Sequence, residues 1–305
     1  MVISTFRALA VGAALVAPML LAGCSAGDQT ASEHDGGSCP VAPVDVVVSV
    51  DQWGGIVSQL GGDCAAVTTV LASSSVDPHD YEPAPSDAVT FEGAQLVVIN
   101  GGHYDEWAAK LAATSAPQAP VIEAVRTDQI NPHAWYSPAA VHTVADAVTA
   151  QLKELAPGAA DYFETQNAAF AESLQPYDDA IDTIKSGAAD KSYAATENVF
   201  DDMAAALGLT NRTPRGYQTS SAAEADPSPA DLDAFLRLLD DKAVDVLIYN
   251  TQTEGSVPQQ LRSAAESAGV PVVEVTETVA PGAETFEAWQ VQQLEALAEA
   301  LGVRD

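Results

Sequence analysis

Apolar and polar positions along this chain follow two rhythms. Short continuous apolar runs recur at VDVVVSV (44–50), AAVTTVL (65–71), QLVVIN (95–100) and PVIEAV (120–125). Such runs, rich in β-branched residues, suit strands buried on both faces of a parallel sheet. Between them the pattern is helical, near 52–60, through YDEWAAKLAA, and over about 138–155. From 159 to about 186 the pattern becomes one long, mostly polar helix. Pro176 lies inside it and should kink or divide it. A second alternating series follows, with strands at SYAAT (192–196), VDVLIYN (244–250) and PVVEVT (271–276). Helices are predicted near 198–207, 228–240, 256–268 and 284–301. The predicted fold class is therefore α/β: two parallel-sheet α/β lobes, 41–156 and 189–305, joined by a long helix over 157–188.

The N-terminus obeys neither rhythm. MVISTFRALAVGAALVAPMLLAGC has one early basic residue, Arg7, then an apolar run closing on small residues before Cys24. Residues 1–23 read as a secretory signal peptide, too short and wrongly flanked for an ordinary spanning helix. Leu21-Ala22-Gly23-Cys24 resembles a bacterial lipobox, which implies cleavage before Cys24 and lipid attachment there. A plain secretory signal with a chance cysteine is the bland alternative. Residues 24–40, polar and rich in Gly and Ser, read as a flexible, lipid-anchored tether, with His34 inert within it. The G-x-S-x-G match in GCSAG (23–27) lacks the strand and helix a hydrolase elbow needs, so it carries no catalytic meaning.

Charge changes the picture by exclusion. The chain carries 43 acidic against 12 basic side chains, a net charge of −31. Such a surface repels nucleic acid and could concentrate cations, although solubility outside the cell explains it as well. Export also places Cys39 and Cys64 in an oxidising compartment. They precede and open neighbouring strands, so a disulfide is plausible, with two free buried thiols as the alternative.

Ligands of open parallel sheets bind beyond the carboxyl ends of the strands. In the first lobe His79, His103 and His133 follow strands two, three and four. In the second, Glu197 follows the first strand, Asn250 and Gln252 the third, and Glu277 the fourth. Closing the two lobes would set His79, His133, Glu197 and Glu277 around one ion in the cleft. His103, Asn250 and Gln252 are secondary candidates that would support those ligands. Each has an ordinary alternative: a histidine in a turn is commonly a surface residue, and an acid near a helix start is commonly a favourable charge. His142, inside a predicted helix, is expected not to bind. DPHDYEP (77–83) and NPHAWYSP (131–138) both hold a histidine between prolines and beside aromatics. Stiff turns of this kind aim the imidazole in advance and lower the ordering cost of binding.

DPHDYEP, NGGHYDEWAAKL, NPHAWYSP, TENVFDDMAAALGL, DPSPADLDAFLRLL and TETVAPGAETFEAWQVQQLEAL occur in this order. Together they resemble the metal-binding lipoproteins of bacterial zinc/manganese ABC importers, over nearly all of the chain after the leader. The resemblance implies two lobes bridged by a rigid helix, one metal site between them, and a membrane permease as partner. His79 and His133 match the family's two first-lobe histidines. Glu197 falls where zinc-type members carry His and manganese-type members Glu. Glu277, in TET, falls where the family usually has an aspartate, and Asn131 replaces an aspartate common before the second Pro-His. The His-rich loop of many zinc-type members is absent from this sequence.

Two imidazoles and two carboxylates make a harder donor set than three histidines, which favours Mn2+ or Fe2+, while Zn2+ has the higher intrinsic affinity. The expectation is an extracytoplasmic solute-binding lipoprotein, monomeric, anchored on the outer face of the membrane, that passes Mn2+ or Zn2+ to a permease. A secreted metal-dependent hydrolase and a surface adhesin are the competing functions. Four protein ligands would close the coordination sphere that hydrolysis needs open, and no H-E-x-x-H motif is present, so no enzyme is expected.

Overall fold

The computed structural model describes residues 39–72, 81–125, 131–223, 225–253, 255–280 and 282–303. The leader, Cys24, most of the tether and His79 lie outside these residues.

The valine-rich run becomes β1 (Val44–Val50), in which every residue but Asp45 is buried. It pairs in parallel with both β2 (Ala65–Leu71) and β3 (Leu96–Gly101), and β3 pairs with β4 (Val121–Val125). The order is β2-β1-β3-β4. The helices of this lobe are α1 (Asp51–Gly61), α2 (Pro85–Phe91), α3 (Glu106–Ser115) and α4 (Pro138–Leu155). The second lobe repeats the design. Its sheet runs β6 (Thr210–Asn211), β5 (Ser192–Ala195), β7 (Val246–Asn250), β8 (Val272–Val275), again all parallel. Around it lie α7 (Asp201–Ala206), α8 (Arg215–Ser221), α9 (Pro229–Asp240), α10 (Ser256–Ala268) and α11 (Phe286–Leu301). Strand order reverses between β1 and β3 in one sheet and between β5 and β7 in the other, and a ligand crevice forms at such points.

The connecting segment is two helices, α5 (Ala160–Ser173) and α6 (Gln175–Gly187), meeting at Leu174. Pro176 sits in the first turn of α6, where a missing N–H leaves no helical bond unmade, so the chain divides just ahead of it. The pattern also missed α2, α8 and β6. Each has seven residues or fewer, too few for a period to show. Ends that are well marked do have chemical caps: Ser228 Oγ accepts from Asp231 N–H at α9, and Thr285 Oγ1 from Ala288 N–H at α11.

One apolar core runs through both lobes, from the β1 valines to Phe286 and Trp289 of α11. Tyr136 is its junction, with ring centroids 5.3 Å from Phe200 and 5.8 Å from Trp289. A smaller core, with Tyr217, Phe235 and Leu261, fills the far side of the second sheet. Cys39 and Cys64 are joined by a disulfide, with Cα atoms 4.9 Å apart. A loop of that length contributes about 3 to 4 kcal/mol by chain entropy. Among the described residues no helix is long and apolar enough to cross a membrane.

Candidate metal centre

His133 is positioned by backbone before any side chain is considered. The end of β3 and the turn it enters, Asn100-Gly101-Gly102, carry φ values of +77° and +61° at the two glycines. A Cβ on Gly102 would come within 2.6 Å of Val125 Cγ1 and 3.5 Å of Pro132 Cα. Only glycine lets the Asn131-Pro132-His133 segment pack so closely here. Asn100 Nδ2 donates to Pro132 O at 2.8 Å, and Trp53 Nε1–H donates to Asn100 Oδ1 at 2.9 Å. Asp105 accepts the N–H groups of Asn100 and Gly101 at 2.7 and 2.8 Å. Burial pushes the Asp105 carboxyl up, against the lowering effect of those donors.

His133 as a whole is 6% exposed, and its imidazole stands edge-on to Trp135, centroids 5.3 Å apart. Asn131 Oδ1 lies 2.8 Å from His133 Nδ1 and also accepts the His133 N–H at 3.2 Å. Asn131 Nδ2 donates across to Asn198 O in the second lobe at 3.3 Å, which fixes the amide's orientation. A carbonyl oxygen only accepts, so the proton belongs on Nδ1 and the ring's lone pair on Nε2. Nε2 points at the second lobe, 3.9 Å from Glu277 Oε2. A metal-binding histidine is commonly oriented in this way through its other nitrogen.

The second lobe arranges its carboxylates by amides. Asn250 ends β7 and is 2% exposed. Its Nδ2 donates to Glu197 Oε2 at 2.6 Å and to Glu277 Oε1 at 2.9 Å. Its Oδ1 accepts Gln252 N–H at 3.0 Å, so the donor end must face the acids. Gln252 Oε1 accepts the N–H groups of Glu277 and Thr278 at 2.6 and 3.0 Å, which shapes the loop after β8. Two carboxylates held around one amide form a concentrated negative site in a partly buried setting. Such a site favours a cation over a second anionic charge left uncompensated.

His133, Glu197, Glu277, Asn250 and Gln252 thus lie in one cluster between the lobes. His103 does not join it. Its side chain is 75% exposed, its φ is +69°, and Nδ1 lies 2.6 Å from Glu106 Oε1 on the surface. Its neighbour Tyr104 is fully buried and donates from its hydroxyl to Glu277 Oε2 at 3.3 Å. His142 faces Asp178 instead, 3.6 Å away on the α4–α6 surface. Among the described residues no three His, Cys, Asp or Glu side chains are grouped closely enough to hold a metal ion, and His79 lies outside those residues.

Two members of the cluster escaped the sequence reading. Tyr104 stood beside the histidine that drew attention. Gln52 follows β1, the first strand of the first lobe, and its Nε2 donates to Tyr104 OH at 3.1 Å and to Glu277 O at 2.8 Å. The strand-end rule that found the other residues covers Gln52 equally.

Residues 46–300 match the family described as zinc-uptake complex component A, periplasmic. The manganese-binding lipoprotein MntA of Halalkalibacterium halodurans is 26% identical over 175 residues, 55% of this chain and 56% of that protein. The chain thus spans little more than half of that relative's length. The high-affinity zinc uptake system protein ZnuA of Bacillus subtilis is 23% identical over 217 residues, 64% of this chain and 67% of that one. A periplasmic metal-binding protein from Candidatus Liberibacter asiaticus shares the fold, with a TM-score of 0.70, 17% identity, and coverage of 85% of this chain and 99% of that one. The family match extends through both sheets and every residue of the cluster between them, and the chain belongs to the zinc-uptake component A family.

Proposed function

We propose that this protein is an extracytoplasmic solute-binding protein that captures one divalent transition metal ion between its lobes and delivers it to the membrane permease of an ABC importer. The observation that carries this reading is the Asn250 amide joining Glu197 and Glu277 beside the lone-pair nitrogen of His133. His133, Glu197 and Glu277 are the proposed ligands from this cluster, and His79 the fourth, from the first Pro-His turn. Mn2+ is favoured by the two carboxylates, which make the donor set harder than three histidines would, and Zn2+ by intrinsic affinity, with Fe2+ between them in chemistry. The ion is cargo. With four protein ligands no coordination position stays open for hydrolysis, so the site binds and releases rather than catalyses.

In this reading residues 1–23 are removed, Cys24 carries the lipid, and 24–40 tether two lobes, 41–156 and 189–305, joined through 157–188. The protein then works as a monomer on the outer face of the membrane. Calorimetric titration of the chelator-stripped chain with Mn2+ and with Zn2+ tests the function, one ion per chain being expected. A folded protein that takes up neither metal overturns it. Cys24→Ala should release the protein from the membrane fraction with metal uptake intact, and recovery of an acylated mutant in the membrane would end the anchoring proposal.

A further inference from the structure

We infer that Gln52 is a positioning residue that clamps the Glu277 loop of the second lobe onto the first lobe. The side chain is 1% exposed, in the first turn of α1, just beyond β1. Its amide nitrogen has two hydrogens and two acceptors within reach. One is the main-chain oxygen of Glu277 at 2.8 Å, 225 positions away in the chain. The other is Tyr104 OH at 3.1 Å. Glu277 O can only accept, so it fixes the amide with nitrogen toward the second lobe. Tyr104 passes its own hydrogen to Glu277 Oε2 at 3.3 Å. Gln52 therefore holds Glu277 at two points, directly through the backbone and through Tyr104 at the carboxylate.

The geometry around the clamp restricts alternatives. Tyr104 is fully buried, with its ring 5.0 Å from Trp135 and 6.1 Å from His133, centroid to centroid. It cannot follow Glu277 if the loop moves. Gln252 fixes the loop from within the second lobe, but bonds within one lobe cannot set its place relative to His133. The bond from Gln52 crosses the seam and does so at Glu277 itself, next to Thr276, whose main-chain oxygen accepts from the Tyr136 hydroxyl at 2.7 Å. A shorter Asn could not span it. A Glu could accept from Tyr104 but would set oxygen against oxygen at Glu277 O.

The consequence for the cation rests on the proposed function, in which Glu277 is a ligand. The consequence for the loop does not, and the experiment separates them. In the full-length chain, solubilised in detergent and stripped of metal, Gln52→Leu should raise amide hydrogen exchange of the 276–280 segment at least tenfold. Exchange in β1 and β3 should stay within twofold of the parent. Gln52→Glu should do the same at pH 7.5, and it decides the matter if the leucine variant fails to fold. With Mn2+ as probe, both variants should bind five- to twentyfold more weakly. Unchanged exchange at 276–280, or a rise spread evenly over both lobes, would overturn the clamp, the latter marking a merely structural side chain. If the parent chain binds no metal, the proposed function falls while the exchange result still decides the role of Gln52.

Discussion

The two sides of the cleft hold their donors by different means. On the first-lobe side, His133 is fixed by shape: two prolines, a pair of positive-φ glycines, and the rings of Tyr104 and Trp135 packed around the imidazole. One amide oxygen, from Asn131, then sets the tautomer. On the second-lobe side the loops are held by hydrogen bonds, and two amides, Asn250 and Gln252, do most of the holding. Packing is insensitive to charge, whereas an amide clamped between carboxylates is tuned to it. The imidazole side is therefore expected to stay as it is when a cation enters, and the carboxylate side to respond.

Removing the packing should give the largest effect. Trp135 is fully buried against both Tyr104 and His133, so Trp135→Ala should cost about 3 to 5 kcal/mol of stability. Chemical denaturation measures it. A loss below about 1 kcal/mol would mean that the aromatic wall does not hold the first-lobe side, and the contrast would fail there.

Next comes Asn250→Ala. It strips one donor from each of two carboxylates, and charge-assisted bonds contribute about 1.5 to 3 kcal/mol each when buried, less here because Glu277 is 20% exposed. A loss of about 2 kcal/mol is expected in the metal-free protein, shrinking when Mn2+ is added because the cation then compensates the acids. Melting with and without metal checks this. An equal loss in both states would show that Asn250 serves the fold alone.

His133→Ala should weaken metal binding at least tenfold, about 1.4 kcal/mol, with melting of the metal-free protein little changed. Calorimetry on the folded variant decides it, and unchanged affinity would remove His133 from the site.

These contrasts bear on what could be read from sequence. The two parallel sheets follow from apolar runs separated by helices, and β1 is legible because a central parallel strand is buried on both faces. The gathering of His133, Glu197, Asn250, Gln252 and Glu277 is legible because each of them follows a strand end. Short elements such as β6, with two residues, carry no period. Tyr104 and Gln52 were missed for another reason. They act through bonds across 173 and 225 positions of chain, and a local pattern has no record of which distant acceptor a side chain will find. His103 shows the reverse case, a residue type suited to the chemistry whose backbone turns it to solvent.

Asp51 gives the smallest and sharpest test, because it is a seam carboxylate without an amide partner of the kind Glu197 and Glu277 have. It opens α1, where the backbone N–H groups of Gln52, Val279 and Asp51 itself support its charge. Its Oδ1 is buried with no hydrogen-bond partner among the described residues. Burial outweighs those donors and pushes the carboxyl up to about 6 from 3.8. A raised folded-state pKa means the folded protein binds more protons than the unfolded chain between those values. Stability contributed by this group is thus present below about pH 4 and is lost as pH rises through about 6. The full shift would correspond to about 3 kcal/mol, but the group is partly solvated and gains from the helix N-terminus, so about 1 kcal/mol is the expected net cost at neutral pH. Asp51→Asn keeps an acceptor for the backbone donors and removes the charge. It should stabilise the metal-free protein by about 1 kcal/mol at pH 7.5 and by nothing at pH 4. Denaturation at the two pH values measures the difference. A loss of stability at pH 7.5 would mean that Asp51 is as well compensated as the second-lobe acids, and that amide donors are not what distinguishes the two sides of the cleft.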